Sequence, residues 1–156
     1  MNEPIETFER VFTEYEVGEK NVTSGWVISD QDIVAFADLT GDKHPAHTDK
    51  EFSEAQFGGR LSHGVLTFAV VVGLTVEYNR LAVAYGYDRI RFPGPVLAGD
   101  TITATSEVID VKSHRNPEIG LVVKQYTGVN QRNETVLAAQ HTLAVQRFRP
   151  VSTDKT

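Results

Sequence analysis

An aspartate and a histidine on one short loop are the residues whose types and spacing suggest chemistry. Asp42 and His47 lie in the segment TGDKHPAH, residues 40–47. Pro45 fixes its own φ and biases His44 away from helical geometry, so the loop is expected to be stiff. A carboxylate and an imidazole aimed at one point can bind one water molecule. The carboxylate takes a proton from it, and the imidazole orients the water or returns a proton. This pair therefore predicts general acid–base catalysis.

Two other roles for these residues stay open at this point. Asp42 could simply accept hydrogen bonds within a turn, with His47 as a surface histidine. A metal site is the second alternative, because carboxylates and imidazoles at four positions are possible ligands: Asp42, His44, His47 and Asp49. No further His/Asp cluster stands near them in the sequence to complete such a site. We therefore predict no metal and no other cofactor.

A second feature is the tripeptide Ser62-His63-Gly64, directly before a long apolar run. Gly64 is predicted in the first turn of a helix, where backbone N–H groups have no intrahelical partner and the helix carries partial positive charge. An amide there can stabilise negative charge on a substrate carbonyl oxygen, and glycine lets that oxygen approach closely. The alternative is a tight entry to the helix without chemistry. Ser62 is the expected N-cap, and His63 is expected to be structural.

The loop with Asp42 follows a predicted helix. Ser29 and Asp32 have the spacing of a capping box, in which the two side chains cap each other's backbone N–H groups. Apolar residues then recur at helical intervals over residues 33–39. Gly41 is placed to end the helix, so the candidate aspartate is expected directly after a helix C-terminus.

Two further helices are predicted downstream of the loop. Thr48 and Glu51 repeat the capping-box spacing before a short helix that Gly58 ends. Residues 65–76 read VLTFAVVVGLTV, an apolar run longer than a typical strand of about 5–6 residues. We interpret this run as a helix that is apolar on every side, which predicts full burial.

The second half of the chain has the pattern of a sheet. Segments rich in Val, Ile, Thr and Tyr are separated by turn-forming residues, which predicts strands over residues 83–92, 100–112, 120–131 and 135–148. Short connections between them suggest an antiparallel meander, and residues 22–28 could add a further strand. A long sheet with one buried helix is an α+β arrangement, in which the sheet must wrap the helix to bury it.

Composition narrows the function classes. A chain of 156 residues fits one domain, expected at residues 1–149, with a polar tail at 150–156. The formal net charge is −6 and Lys and Arg form no cluster, which argues against nucleic-acid binding. The absence of cysteine excludes disulfides and a cysteine nucleophile. Neither a secretory signal nor a membrane span is recognisable, so a cytoplasmic protein is expected.

Three sequence blocks together resemble the MaoC-like (R)-specific enoyl-CoA hydratases: FADLTGDKHPAH, FGGRLSHGVLT and YDRIRFPGPVLAGDTIT. The resemblance implies a hot-dog fold, an antiparallel sheet wrapped around a long central helix. It implies that Asp42 and His47 are the catalytic dyad and that Gly64 donates to the thioester carbonyl. Water would then add to a trans-2-enoyl thioester and give a (3R)-3-hydroxyacyl product.

The chain departs from the family pattern at two positions. His44 stands two residues after Asp42, where the family usually has asparagine. Ala69 stands where some members carry a serine. The histidine is expected to alter substrate choice or pH response, and the alanine leaves a supporting hydrogen bond missing or supplied by another group. His44 and Ser62 are the expected supporting residues around the dyad.

The expected partners are an acyl thioester of coenzyme A or of an acyl carrier protein, and a second copy of the chain. Arg89 and Arg91 are candidates to bind the phosphates of coenzyme A, because alternate positions on one strand face the same side. A homodimer or larger assembly is expected, since the sheet leaves an exposed edge that proteins tend to hide by pairing. We expect neither nucleic acid nor a membrane as partner.

Two rival functions remain at the level of sequence. A hot-dog thioesterase often uses a carboxylate on the central helix, but residues 65–76 contain no acid and Glu77 comes late. A domain that binds acyl thioesters without turnover is the other rival. The presence of both Asp42 and His47 argues against it.

Overall fold

A computed structural model describes residues 5–150 as an antiparallel sheet with helices packed on one face. The helices are Asp30–Thr40 (α1), Pro45–Thr48 (α2), Lys50–Phe57 (α3) and Gly64–Leu74 (α4), preceded by a 3₁₀ turn at Phe12–Glu14. The strands are Lys20–Val22 (β1), Trp26–Val27 (β2), Ala82–Arg91 (β3), Thr101–Ser113 (β4), Ile119–Val129 (β5) and Thr135–Gln146 (β6). Leu66 and Val71 of α4 pack with Ile102, Tyr126 and Leu137 of the sheet, so the predicted α+β arrangement is confirmed.

The strand order is β1-β4-β5-β6-β3, with β2 also paired to β4. The predicted meander is therefore right for β4, β5 and β6 and wrong for β3, which lies beside β6 at the opposite edge from β1. The connection from β3 to β4 crosses the start of α4. It is held there by hydrogen bonds from Ser62 N to Val96 O (2.8 Å) and from Ala98 N to Arg60 O (2.9 Å). These contacts are distant in sequence, so the local strand pattern could not reveal them.

The early strand predicted over residues 22–28 is instead two short strands on β4. Thr23 ends the first of them, because its side-chain Oγ1 accepts a hydrogen bond from Ala104 N at 3.0 Å. Gly25 lies so close to Thr101 that an added Cβ would be 2.7 Å from the threonine methyl carbon. The side-chain hydrogen bond and this close approach interrupt the ladder between β1 and β2.

Helix α1 begins and ends as predicted. Ser29 Oγ accepts from Asp32 N at 3.1 Å, and Asp32 Oδ2 accepts from Ser29 N at 2.8 Å, which completes the capping box. Ser29 Oγ also donates to Asp32 Oδ2 at 2.7 Å, and the hydrogen bonds to this carboxylate from the backbone and the side chain of Ser29 lower the pKa of Asp32. Gly41 adopts a left-handed φ of 80°, and its N–H donates to Ala37 O at 2.9 Å. The loop that carries Asp42 therefore starts from a well-defined helix end.

The caps of α3 and α4 differ from the predictions. Asp49, not Thr48, caps α3, because Asp49 Oδ1 accepts from Phe52 N at 3.0 Å. His63, not Ser62, is the N-cap residue of α4, and its side chain makes no capping hydrogen bond. Each helix begins one residue later than its predicted cap implies.

The prediction that the apolar helix is buried on every side is wrong. Leu66, Thr67 and Val71 of α4 are buried against the sheet. Val65 at the start of the run is 60% exposed and Val76 just beyond the helix is 47% exposed. Ala69 and Gly73 are also exposed, so one apolar stripe of the run faces away from the sheet. Such a stripe is typical of a surface that another element or another molecule covers.

The predicted tail lies almost wholly outside the described residues. Pro150 is exposed and belongs to no helix or strand, and residues 151–156 are not described. The boundary at residue 149 stays a prediction. No helix within residues 5–150 is long and apolar enough to cross a membrane.

The inner face of the sheet carries a cluster of polar side chains away from the predicted chemistry. His141 Nδ1 and the hydroxyl of Tyr126 are 2.7 Å apart, and the ring of Tyr87 stacks on His141 with centroids 4.2 Å apart. Its cross-strand neighbour Lys124 forms an ion pair with Glu77. Burial, and secondarily the charge of Lys124, lowers the pKa of His141 to about 4 from its ordinary 6.5.

Because its pKa is lowered in the native state, His141 makes the stability of the fold sensitive to acid. Between pH 6.5 and pH 4 the unfolded chain binds a proton that the native state does not, so the free energy of unfolding falls as pH falls through this window. We expect His141 to account for about 1–3 kcal/mol of that loss. His141→Asn keeps an acceptor for Tyr126 and is expected to flatten the pH dependence. Urea unfolding at several pH values measures this, and parallel curves for the two proteins would contradict it.

Candidate active site

Three side chains converge at one end of α4. Asp42 comes from the loop after α1, His47 from α2 and His63 from the N-cap of α4. Each offers one ligand-type atom, and these atoms lie within 4.8 Å of one another. Asp42 is exposed, His47 is half-buried and His63 is buried. The two predicted catalytic residues are therefore close together, and a histidine that the sequence analysis left out joins them.

Short-range hydrogen bonds shape the loop that carries Asp42. His44 is the N-cap of α2, and its Nδ1 accepts from Ala46 N at 3.2 Å. Pro45 occupies the first helical position, where its missing N–H leaves no partner unsatisfied. Asp42 Oδ1 accepts from His44 N at 3.4 Å. His44 thus shapes the turn between the two dyad residues.

The imidazole of His47 is oriented by a main-chain carbonyl. His47 Nδ1 lies 2.8 Å from Leu61 O. A carbonyl oxygen can only accept, so Nδ1 carries a proton, and Nε2 of the neutral ring is left as an acceptor. Arg60 also donates from Nη1 to His47 O at 2.7 Å, which holds the backbone of α2. This arrangement suits an imidazole that orients a water molecule through Nε2.

His63 contacts both members of the pair. Its ring stacks on His47 with centroids 3.7 Å apart and an interplanar angle of 24°. Its Nε2 lies 3.0 Å from Asp42 O, a carbonyl to which it donates. Phe36 of α1 covers another side of the ring at 5.0 Å between centroids. No signal in the sequence indicated this role, because the expected N-cap was Ser62 and the N-cap position of His63 became visible only in the structure.

Two of the four residues that the sequence offered as possible metal ligands have other roles in the structure. His44 and Asp49 are both used as helix caps. The remaining group is Asp42, His47 and His63, and the two imidazole planes are inclined by only 24°. His47 Nδ1 and His63 Nε2 each donate to a main-chain carbonyl, Leu61 O and Asp42 O respectively. The arrangement suits hydrogen bonding better than metal coordination.

Gly64 is the first residue of α4, so its predicted place in the first turn is confirmed. An added Cβ there would lie 2.8 Å from ring carbons of Phe92, so glycine is required for the close packing of that ring. Gly64, Phe92 and His47 line one cavity of about 330 Å³. The imidazole of the dyad and the predicted oxyanion donor therefore border the same space.

A second cavity, of about 540 Å³, lies between α1 and α4. Its lining is apolar apart from Asp32, and includes Phe36, Leu66 and Val70. Phe36 also contacts the ring of His63. The stacked pair of His47 and His63 thus lies between an apolar cavity and the cavity at Gly64.

Comparison with known proteins identifies the family. Residues 12–130 match the family model described as "MaoC like domain". This chain belongs to the MaoC-like dehydratase family. The MaoC-like chain is 37% identical over 113 residues to the 3-hydroxyacyl-thioester dehydratase Z of Mycobacterium tuberculosis, covering 68% of this chain and 75% of the relative.

Solved structures agree with this membership. The R-hydratase PhaJ1 of Pseudomonas aeruginosa superposes with a TM-score of 0.73 at 26% identity, over 91% of this chain and 95% of that chain. A conserved Mycobacterium tuberculosis protein with a double hot-dog fold superposes with a TM-score of 0.79 at 19% identity, over 93% of this chain and 47% of that chain. The hot-dog prediction is confirmed, and relatives named as dehydratase and hydratase support a hydro-lyase activity.

Ser62 lies beside the dyad without reaching it. Its Oγ donates to His63 O at 3.3 Å and lies 3.4 Å from Thr67 Oγ1. Ser62 is buried and lines the cavity at Gly64. Any support it gives to the dyad of this MaoC-like protein therefore passes through the backbone of His63.

The prediction that the side chains of Arg89 and Arg91 lie on the same face of one strand is wrong. Arg89 has a left-handed φ of 52°, and the register of β3 against β6 shifts between Asp88 and Arg91. This bulge breaks the alternation of side chains on which the prediction rested. Both arginines are exposed, and their role in binding coenzyme A stays a prediction.

Glu77 is occupied by other groups in this MaoC-like protein. It forms an ion pair with Lys124 and accepts from the hydroxyl of Tyr15 at 3.0 Å. It also lies beyond the C-terminus of α4, whereas the dyad lies at the N-terminus. These partners, and its place at the opposite end of α4 from Asp42 and His47, argue against Glu77 as the carboxylate of the thioesterase alternative.

Proposed function

We propose that this MaoC-like protein catalyses the reversible hydration of trans-2-enoyl thioesters to (3R)-3-hydroxyacyl thioesters. The observation that carries the proposal is the grouping of Asp42 and His47 next to the N-terminus of α4, where no residue that the structure describes accepts a hydrogen bond from the Gly64 N–H. The names of the Mycobacterium dehydratase and the Pseudomonas R-hydratase support it. The (R) product and the coenzyme A carrier are part of the proposal.

The chemistry assigns one role to each group. Nε2 of His47 accepts a hydrogen bond from the water and orients it, and the carboxylate of Asp42 takes a proton as the hydroxyl adds to C3. Electrons of the C2–C3 double bond move toward the thioester oxygen, which the Gly64 N–H stabilises. The proton is then returned to C2. The net change is addition of one water, with both side chains restored.

The two cavities suggest how a substrate lies across the dyad. The acyl chain is proposed to occupy the apolar cavity lined by Phe36, Leu66 and Val70. The thioester is proposed to lie in the cavity lined by His47 and Gly64. Exposed Arg89 and Arg91 remain candidates for the phosphates of coenzyme A or of an acyl carrier protein.

An assay with crotonyl-CoA tests the proposal. Loss of the enoyl-thioester absorbance without release of free thiol is the expected result, and the product is expected to be the (3R) isomer by chiral analysis. Thiol release would instead support a thioesterase. Binding without either change would support an acyl-thioester-binding domain, and both outcomes contradict the proposed reaction.

We further propose that the chain forms a homodimer through the exposed stripe of α4 and the free edge of β3. Val65, Ala69, Gly73 and Val76 are exposed and apolar or small, and β3 pairs with β6 on one side only among the described residues. Strand edges and apolar patches of this kind are normally covered. The N-terminal ends of the two α4 helices, next to which Asp42 and His47 lie, would then be near the interface.

The dimer predicts a specific effect of one substitution. We expect light scattering to give twice the 17.3 kDa mass of the chain for the wild type and a shift toward the monomer for Val76→Asp. Val17→Asp introduces the same charge at another exposed valine outside this surface and is expected to stay dimeric. A monomeric wild type, or a Val76→Asp protein as dimeric as the control, would contradict the proposed surface.

A further inference from the structure

We infer that His63 is a positioning residue, one that sets the geometry of Asp42 and His47 relative to Gly64. This inference rests on the proposed function. His63 is covalently adjacent to Gly64, so its position is fixed relative to the helix that carries the oxyanion donor. Its Nε2–H then reaches Asp42 O, and its ring reaches the ring of His47. One buried side chain thus connects the three groups that the reaction needs.

The contact with Asp42 is the firmest one that this loop residue makes. Asp42 N lies 3.3 Å from Thr40 Oγ1, and Asp42 Oδ1 lies 3.4 Å from His44 N. Both distances are long for hydrogen bonds, whereas the bond from His63 Nε2 is 3.0 Å. The two long contacts are also local, while His63 lies on a different element. An exposed loop residue therefore takes its position from a buried histidine.

The location of His63 argues against a purely local structural role. At the N-cap of α4 its side chain makes no capping hydrogen bond, although Ser, Thr, Asp or Asn at this place would stabilise the helix by about 1 kcal/mol. His63 as a whole is 3% exposed, and its Nδ1 is buried with no hydrogen-bond partner among the described residues. Helix α4 therefore lacks a side-chain cap, and the Nδ1 atom of His63 is buried without a partner in the part of the chain that the structure describes. Positioning of the dyad accounts for both features.

Small displacements at this place are expected to be costly for the rate. A misplacement of about 1 Å in a catalytic group can reduce turnover by about 10²-fold. Without the bond from His63, Asp42 keeps only two long local contacts, one from its backbone N–H and one to its carboxylate. Without the ring of His63, the imidazole of His47 loses the stacking partner that fixes the orientation of its plane. His63 itself lines neither cavity, so kcat is expected to change more than KM.

Two substitutions separate the hydrogen bond from ring packing. His63→Phe keeps an aromatic ring between Phe36 and His47 but removes the donor to Asp42. His63→Gln keeps a donor at a similar reach but removes the ring. We expect His63→Phe to lower kcat for crotonyl-CoA by about 10²-fold with little change in KM. His63→Gln is expected to recover at least about tenfold of that loss.

A control variant and a second readout make the test independent of folding and of activity. His141→Asn changes another buried histidine that has no contact with the dyad, and its kcat is expected to match the wild type at equal folded fraction. Lys43 N donates to Gly41 O at 3.0 Å within the same loop. Its amide hydrogen exchange is expected to accelerate at least about tenfold in His63→Phe and to stay near wild type in His63→Gln.

The outcomes distinguish this inference from the proposed function. A wild type that does not hydrate enoyl thioesters contradicts the proposed function, and the exchange of the Lys43 amide still tests whether His63 holds the loop. An active wild type with unchanged kcat in His63→Phe overturns the positioning role alone. A His63→Gln protein as slow as His63→Phe, or unchanged amide exchange in His63→Phe, overturns it as well.

Discussion

Replacing Asp42 with asparagine is expected to lower kcat/KM for hydration of crotonyl-CoA by about 10²–10⁴-fold. The amide has nearly the size of the carboxylate and can still accept from His44 N, so the loop is expected to keep its shape. It cannot take a proton from water at neutral pH. The loss should therefore appear in kcat, with the thermal unfolding midpoint close to that of the wild type.

Asp38→Asn is a matched control for this prediction. Asp38 lies on the last turns of α1 and forms an exposed ion pair with Lys43, at 2.9 Å between Nζ and Oδ1. Exposed pairs of this kind contribute about 0–1 kcal/mol to stability, so the same change of carboxylate to amide should leave turnover near wild type. Equal rates for the Asp42 and Asp38 variants would remove Asp42 from the mechanism.

Replacing His47 with asparagine is the second change with a large expected effect, again a loss of at least about 10²-fold in kcat. The asparagine amide can donate to Leu61 O in place of Nδ1, which preserves the contact that anchors this side chain. It provides no atom at the position of Nε2, so the water loses its orienting acceptor. The measurement is the steady-state rate with crotonyl-CoA, together with circular dichroism to confirm folding.

His114→Asn is the corresponding control for this substitution. His114 lies after β4, and its Nδ1 accepts from Asn116 N at 3.1 Å, a contact that an asparagine oxygen can also make. Turnover of this variant is expected to equal that of the wild type. If His47→Asn were as active as His114→Asn, the imidazole would have no part in the reaction.

The rate losses caused by the Asp42 and His47 substitutions are not expected to multiply when both are combined. Both act on one water molecule, and loss of either group leaves the other without its partner in the same step. The double variant of Asp42 and His47 should therefore be about as slow as the slower single variant. A double loss equal to the product of the single losses would indicate two separate functions for these residues.

Several features of this protein follow from the amino-acid sequence alone, because their causes are local. The capping box of Ser29 and Asp32 and the left-handed Gly41 define α1 through contacts a few residues apart. The same holds for the loop between Asp42 and His47, whose turn depends on Pro45. The apolar run of α4 and the four later strands also follow from composition and periodicity. Both residues proposed as the dyad could thus be named in advance.

Other features of the fold depend on contacts between segments that are far apart in the sequence, and these were decided only by the tertiary structure. The place of β3 beside β6 depends on a connection that binds residues 60–62, and no local pattern encodes that crossing. The exposed stripe of α4 was not predictable, because an all-apolar run does not indicate which side meets the sheet. The bulge at Arg89 depends on the register of a strand pair. Hydrophobic burial and strand pairing across the chain set all three.

The role of His63 shows most clearly the difference between what the local sequence determines and what the tertiary contacts determine. In the sequence it is a histidine beside a glycine, and its spacing to Asp42 and His47 indicates nothing. Folding brings its Nε2 to 3.0 Å from Asp42 O and its ring to 3.7 Å from that of His47. The residue types of the dyad were determined by the sequence, whereas their distance from Gly64 was decided by the packing of α1, α2 and α4 around one buried imidazole.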